Sequence, residues 1–323
     1  MMRVAISTQD ISQLLTSCIW SGDKTQSARK LDFTFLQDES DSSIPKVNCD
    51  SGFTVYGADD DNNIVFVGNI YQLERDRKKS AVNVVAYDHL FVLNKSKTTR
   101  KYTEALPEDI AREICSELGV QAGNIASTGE KVSFIANAKT GYQIIQGAYT
   151  EAHKKNNKQY QCIMNGARLD VIEKGNLIDG LVLDSLRNMT DSIYSENIEQ
   201  IVNRVMVVDE SGNGAEYVTD DESIRKYSMF QTVYRIDKEK DTAEEAKSLM
   251  KKPEREGTVV VVPGDYRLKS GYSVAVKDAN FNGQFWIKSD SHTWRNGLYE
   301  TKLILTFENV MDEVKVEKEK SKT

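Results

Sequence analysis

Histidine, cysteine and paired carboxylates are the side chains most able to do chemistry, and in this chain their spacing gives little. The three histidines are His89, His153 and His292. None stands in an HExxH or HxH pattern, so none suggests a zinc site. His89 follows Asp88, and neighbours in a strand point to opposite faces, so the two cannot form a dyad locally. His153 closes an amphipathic helix, where the dipole favours a cation, and reads as a surface residue. Asp290 and His292 share one strand face, as an acid–base or metal pair would, but no further partner lies near them in sequence. Cys18, Cys49, Cys115 and Cys162 are scattered without a CxxC and read as reduced thiols. The Asp59-Asp60-Asp61 run lacks the glycine and distal glutamate of a calcium loop and reads as a solvated turn. A glycosidase needs two carboxylates across a cleft; the 49 acidic residues could supply them, but they fall in turns and on helix faces. No GxSxG, Walker or GxGxxG pattern occurs. Trp20, Trp286 and Trp294 lie in strands and read as core or inter-subunit packing, with their N–H groups satisfied, in preference to a sugar-stacking platform. No catalytic, cofactor-binding or metal-binding residue is assigned, and no cofactor is expected.

The positioning elements are clearer than the chemistry. Thr258 to Phe307 reads as four strands. Val259 to Val262 is β-branched, Tyr272, Val274 and Val276 alternate with polar neighbours, and Phe285 to Trp294 is rich in aromatics. Asn296-Gly297 is a strong hairpin signal, and Leu303, Leu305 and Phe307 share a face of the last strand. Period-2 alternation means one buried and one exposed face, which points to an antiparallel barrel or sandwich.

Residues 1–100 read as a first β domain. Its strands are expected at Arg3 to Ile6, Leu14 to Trp20, Leu31 to Phe35, Gly52 to Tyr56, Ile64 to Ile70 and Ser80 to Tyr87, with a polar loop from Asp38 to Ser43. Residues 101–178 change to α+β. One helix spans Pro107 to Leu118, another Thr140 to His153, and a hairpin turns at Asn165-Gly166. Residues 179–312 return to strands: Asp184 to Tyr194, Ile198 to Val208, and Ser223 to Tyr227 leading into Phe230 to Ile236. A helix over Thr242 to Lys251, with Ala243, Ala246 and Leu249 inward, is expected to be capped by Thr242 and Glu245. Residues 313–323 are a charged tail.

Hydrophobic content of 39% and charged content of 28% describe an ordinary globular chain. A net charge of -7 offers no global basic field, so no specific nucleic-acid binding is expected. No long apolar segment suggests a signal peptide or a membrane span, so synthesis and folding in a cytoplasm are expected.

Several stretches, taken in order, carry a resemblance. They are Ile11-Ser12 followed by SCIWSGDKTQSARKLDFTF (Ser17 to Phe35), VFVGNIYQLER from Val65, and VVAYDHLFVLNKSK (Val84 to Lys97). Next come EDIAREICSELGV (Glu108 to Val120), VNRVMVV (Val202 to Val208) and SIRKYSMFQTVYRID (Ser223 to Asp237). GQFWIKSDSHTWRNGLYETKLIL (Gly283 to Leu305) ends the series. The chain resembles the XkdQ/YqbQ-like baseplate hub proteins of PBSX-type prophages, contractile-tailed phages and related bacteriocins. Ser228 stands where the resemblance expects glycine.

The resemblance implies a mainly β protein with an α+β insertion, built on two tail-tube-like antiparallel β-barrel domains that superpose. It implies a structural hub without catalysis, carried in the baseplate of a virion or tail-like particle. The hub would be a homotrimer that adapts the six-fold tail tube to a three-fold spike. Expected partners are the tail tube or tube-initiator protein, the central spike protein, and a LysM-type baseplate protein or tape-measure protein. A peptidoglycan-degrading tail hydrolase and a carbohydrate- or receptor-binding β module are the alternatives. Leu298 to Phe307 and Ser80 to Tyr87 are the strands expected at sheet edges between subunits.

Overall fold

The computed structural model describes residues 2–23, 28–37, 44–49, 54–59, 61–237 and 241–317. The expected Asp38 to Ser43 loop and Asp60 lie outside the described residues. The chain divides into two compact units, one of residues 1–193 and 257–323 and one of residues 194–256.

The larger unit opens with β1 (Arg3–Ile6), the two-residue β2 (Gln9–Asp10), β3 (Leu15–Asp23), β4 (Lys30–Leu36), β5 (Thr54–Ala58), β6 (Ile64–Asp76) and β7 (Ala81–Asp88). The alternating residues are buried as the pattern requires: Leu31, Phe33 and Phe35 on β4, and Val82, Val84 and Ala86 on β7, meet Trp20 and Trp294 in one apolar core. Helix α1 (Leu90–Lys95) and β8 (Lys97–Ala105) come next, then α2 (Pro107–Glu117), β9 (Gln121–Ile125) and β10 (Val132–Thr140). Helix α3 (Gly141–Asn156), β11 (Tyr160–Asn165) and β12 (Arg168–Glu173) complete the α+β part. Pro107 opens α2 with Glu108 and Asp109 in its first turn, and Gly119 ends it at φ 70°. A Thr140–Gln143 capping box starts α3. Ile110, Ile114, Ile144, Ile145 and Ala148 form a second core with β8 to β12.

β13 (Leu177–Asp184) and β14 (Met189–Asn197) lead toward the smaller unit, and β18 (Glu254–Val261) leads back from it. β19 (Ser273–Lys277), β20 (Asn282–Arg295) and β21 (Leu298–Thr306) then supply a third core, including Val259, Val274, Phe285, Leu303 and Leu305. The Asn296-Gly297 turn has both residues at positive φ (52° and 78°), and Arg295 faces Leu298 across it. That is the backbone a two-residue hairpin of matching twist requires.

Thirteen strands join in one curled, largely antiparallel sheet, a half-barrel, in the order β14-β18-β21-β20-β3-β4-β7-β6-β5-β1-β2; β19 pairs with β20, and β13 pairs in parallel with β19. Neither strand expected at an edge is one. β21 lies between β18 and β20, and β7 lies between β4 and β6.

The smaller unit holds β15 (Arg204–Val208), β16 (Gly214–Thr219), α4 (Asp221–Tyr227), β17 (Gln231–Arg235) and α5 (Thr242–Ser248), with a sheet in the order β16-β15-β17. Its core is small: Val205, Val207 and Ala246 are buried, with partly buried residues such as Val218 and Tyr234 around them. Several expectations fail here. The strand expected from Ile198 starts only at Arg204, and Ser223 to Tyr227 belongs to a helix instead of a strand. Asp241, not Thr242, caps α5, its carboxylate accepting from the N–H groups of Ala243 and Glu244 (both 3.0 Å); an anionic cap one residue earlier serves both the free donors and the dipole. The helix ends at Ser248, and of the three residues expected inward only Ala246 is buried. Ser228, where glycine was expected, follows α4 at φ 70°, a conformation glycine adopts without steric cost.

Candidate functional site

β20 is the strand that splices the sheet. One edge pairs with β21 from Trp286 to Arg295, while the other is shared, with β19 against Asn282–Trp286 and β3 against Ser289–Arg295. A register shift between Ile287 and Ser289 separates the two pairings of the strand. The β3–β20 register sets Gly22 opposite Asp290 and Trp20 opposite His292. Arg29, just before β4, reaches across the splice. A Cβ at Gly22 would overlap its guanidinium, so the glycine leaves the space through which the side chain passes.

Asp290 and His292, the pair that shares a strand face in the sequence, are therefore joined by a partner 261 residues from Asp290. Arg29 Nη1 donates to Asp290 Oδ1 at 3.1 Å, and Nη2 donates to Oδ2. The Ser270 N–H donates to Oδ1 at 2.6 Å, and His292 Nε2 lies 3.3 Å from Oδ2. The Arg29 guanidinium carbon also sits 4.0 Å from the centroid of the Trp20 ring, a cation–π geometry. Burial alone would raise the Asp290 carboxyl, but the Arg29 charge and the hydrogen bonds hold it well below the usual range. Burial pushes His292 down, against the pull of Asp290. Its neutral form fits its neighbours: Nε2 is 3.0 Å from the Leu268 carbonyl, and Nδ1 is 2.9 Å from the Tyr299 hydroxyl and 3.1 Å from Thr301 Oγ1. A proton on Nε2 satisfies the carbonyl and leaves Nδ1 as acceptor.

Thr301, His292 and Asp290 thus stand in the order hydroxyl, imidazole, carboxylate. A nucleophilic triad shares that order but must also reach a substrate. Thr301 and His292 are completely buried and Asp290 is 3% exposed, so the arrangement can clamp two strands and has no route to a reacting atom.

The other sequence candidates lie apart from this cluster. Asp88 ends β7, and its carboxylate accepts from the N–H groups of Arg29 (3.0 Å) and Leu90 (3.1 Å), while His89 begins α1 instead of extending a strand. Burial pushes Asp88 up to about 7 despite these bonds and the Arg29 charge. His153 is half-buried at the end of α3, with Nδ1 2.9 Å from the Lys158 carbonyl. Trp20 and Trp294 are core residues and Trp286 is half-buried. Contrary to expectation, neither buried indole N–H of Trp20 and Trp294 finds an acceptor among the described residues. Cys18, Cys115 and Cys162 are buried free thiols, which burial makes weaker acids, and Cys49 is exposed. The Asp59 carboxylate accepts from the N–H groups of Asp61 and Asn63, which makes it a turn residue. Among the described residues no cluster of three or more His, Cys, Asp or Glu side chains could hold a metal ion, and no helix is long and apolar enough to cross a membrane.

The model of the family described as YQBQ-like matches residues 18–306, a span that includes the whole β3–β20 splice except the first residues of β3. The chain belongs to the YqbQ-like family. Within this family setting, it is 21% identical over 318 residues to the phage-like element PBSX protein XkdQ of Bacillus subtilis, spanning 95% of this chain and 96% of that one. The 43 kDa tail protein of prophage MuSo2 from Shewanella oneidensis has a similar fold, with a TM-score of 0.71, 12% identity and coverage of 94% and 98%. An E. coli component of the type VI secretion system, described as similar in structure to the T4 bacteriophage tail proteins gp27 and gp5, shares the fold with a TM-score of 0.57 and 10% identity over 97% of this chain and 78% of that one. The YqbQ-like chain therefore has the fold of tail proteins along almost its whole length.

Proposed function

We propose that this YqbQ-like protein is a structural component of a phage tail or phage tail-like particle, and that within it the chain serves as the baseplate hub between tail tube and spike. The observation that carries the reading is the likeness in fold to the Shewanella prophage tail protein, which covers 94% of this chain and 98% of that one and so is not confined to one shared module. The position of Asp290, His292 and Thr301 agrees with a non-catalytic role, because the most enzyme-like constellation is sealed inside the sheet.

The finer reading is a homotrimer with two tube-like modules per chain, residues 1–100 and 179–312, around the α+β part at 101–178. Its support is that the apolar cores on the two sides of the splice are distinct, although the one built mainly from β1 to β7 also takes in Trp294 of β20. Tube, spike, LysM-type and tape-measure proteins are the partners this role calls for. With 49 acidic against 42 basic residues, an axial face that is neutral or negative would let cargo pass without being held.

The test is the mass of the purified full chain in solution, alone and with its tube protein. A trimer that binds the tube end supports the hub. A monomer that binds neither tube nor spike protein overturns it. Release of muropeptides from peptidoglycan would replace it with the hydrolase reading, and tight, salt-sensitive DNA binding in a gel shift would contradict the axial charge.

A further inference from the structure

Beyond β21 the chain turns back over the α+β part of the larger unit. Residues 309–317 form an extended strap along α3. Asp312, Val314 and Val316 are half-buried, and Glu313, Lys315 and Glu317 alternate with them and are exposed, the period of an extended segment with one covered side. Among the described residues the strap joins a strand at one position, where the Ile135 N–H of β10 donates to the Glu317 carbonyl at 2.9 Å.

Elsewhere side chains hold the main chain of the strap. Gln159 Nε2 donates to the Asn309 carbonyl (2.7 Å), Lys174 Nζ to the Val310 carbonyl, and Gln146 Nε2 to the Asp312 carbonyl (2.8 Å). The Thr150 hydroxyl accepts from the Val314 N–H (3.1 Å), and the Tyr142 hydroxyl donates to the Asp312 carboxylate (2.7 Å). Gln146 and Thr150 lie on α3 and are each 1% exposed. Buried polar groups need partners, and the strap supplies one to each. Between these two residues stands Gly147, where a Cβ would overlap the Val316 side chain. Glycine inside a helix is less stable than alanine, so α3 gives up helix stability at the place where the strap lies closest. Met311, 5% exposed, belongs to the core of the α+β part, and Val316 packs against that core. Polar groups on the main chain and seats for alternate side chains are how a groove holds an extended peptide.

We propose that this face of α3 is a peptide-binding groove, filled in the single chain by its own residues 309–317 and able to take the same segment from a second copy instead. A second copy is the occupant because its segment brings the same carbonyls, the same Val314 N–H and the same apolar side chains to the groove. The chain's own strap has the advantage of a short connection to β21, equivalent to a concentration of roughly millimolar, so exchange takes place where copies are held together. The inference rests on the groove and is independent of the tail role.

The experiment titrates a fluorescent peptide of residues 309–317 into the full chain and follows its anisotropy. Val314→Asp with Val316→Asp in the protein weakens its own strap and leaves the groove intact. This variant is expected to bind the peptide saturably, and at least about tenfold more tightly than the wild type, whose groove is filled. Adding Gly147→Leu closes the seat of Val316 and should cost at least about tenfold in affinity. Adding Gly147→Ala instead should reverse the preference, so that a peptide carrying Val316→Ala binds more tightly than the native one; a general loss of helix stability would not do this, since alanine favours the helix. No saturable binding to the strap-weakened variant, or the same affinity with and without the Gly147 substitutions, overturns the proposal. Should that variant fail to fold, hydrogen exchange of the wild type decides. The Val314 and Ile135 amides, bonded across the strap contact, should exchange at least about tenfold faster than the amides of β4. Equal rates would mean that the strap leaves only when the whole unit unfolds, and would overturn the exchange.

Discussion

Asp88, at the junction of β7 and α1, and Asp290, on β20, are both almost completely buried and both bonded to Arg29. Their carboxyls nevertheless move in opposite directions, Asp88 up to about 7 and Asp290 below the usual range. Burial opposes the charged form equally in kind at both sites. The difference lies in which part of Arg29 each one meets. Asp88 receives a backbone N–H, a partial charge, whereas Asp290 receives both ends of the guanidinium, a full one. At Asp88 the backbone N–H groups do not offset the desolvation of the carboxylate, and at Asp290 the bidentate full charge does.

Removing the cation breaks the comparison most severely. Arg29→Leu leaves Asp290 buried without its counter-ion and should destabilise the fold by about 3–5 kcal/mol, measured by urea unfolding. Trp20 fluorescence is a suitable probe, because the ring lies against the guanidinium. Next is Asp290→Asn, which keeps the shape but strands the Arg29 charge with a neutral partner. A loss of about 2–4 kcal/mol is expected, and an effect no larger than that of Asp88→Asn would contradict the difference drawn between the two carboxylates.

The pH dependence comes third. Asp88 titrates higher folded than unfolded, so it stabilises the fold below about pH 4 and loses that contribution as the pH rises through about 7. Asp290, held low, contributes above its unfolded value near 4 and fails only in acid. His292, also held low, contributes fully above its unfolded value near 6.5 and loses this as the pH falls. Relative to the wild type, Asp88→Asn should therefore gain on the order of 2 kcal/mol between pH 5 and pH 8; a constant difference across that range would contradict the raised Asp88. The smallest effect is that of Asp88→Asn below about pH 4. Asp88 is neutral there both folded and unfolded, and a change of about 1 kcal/mol or less is expected from altered hydrogen bonding.

The sequence made the strands legible where alternation and turn chemistry agreed. Val82, Val84 and Ala86 are buried as a set, and Asn296-Gly297 turns where a type of backbone open to few residues is needed. Elements without a period were missed. Leu90 to Leu93 is a continuous apolar run that suits strand and helix alike, and only the Asp88 carboxylate at its start favours the helix. β8 is largely polar and buries only Tyr102, whereas β10 does carry a short period, with Val132, Phe134 and Ala136 buried in alternation. Of the site, the Asp290–His292 face was legible and Arg29 was not. A buried strand carboxylate calls for a cation, but nothing local decides which of 42 lysines and arginines will supply it. The strands thought to be edges were misjudged for a related reason: alternation reports faces and is silent about neighbours.

The splice also sets a timetable. β3 leaves the ribosome long before β20, for which one of its two edges is destined, and Asp290 of β20 meets a residue 261 positions earlier in the chain. At about 5–20 residues per second, that edge waits roughly 15–50 s for its mate. An exposed strand edge is a template for the wrong partner, so the half-sheet of β1 to β7 passes through synthesis with one open side beside other nascent chains. Every copy of the protein therefore spends its first moments able to pair with a neighbour's β20 instead of its own, and slower translation lengthens that exposure in direct proportion.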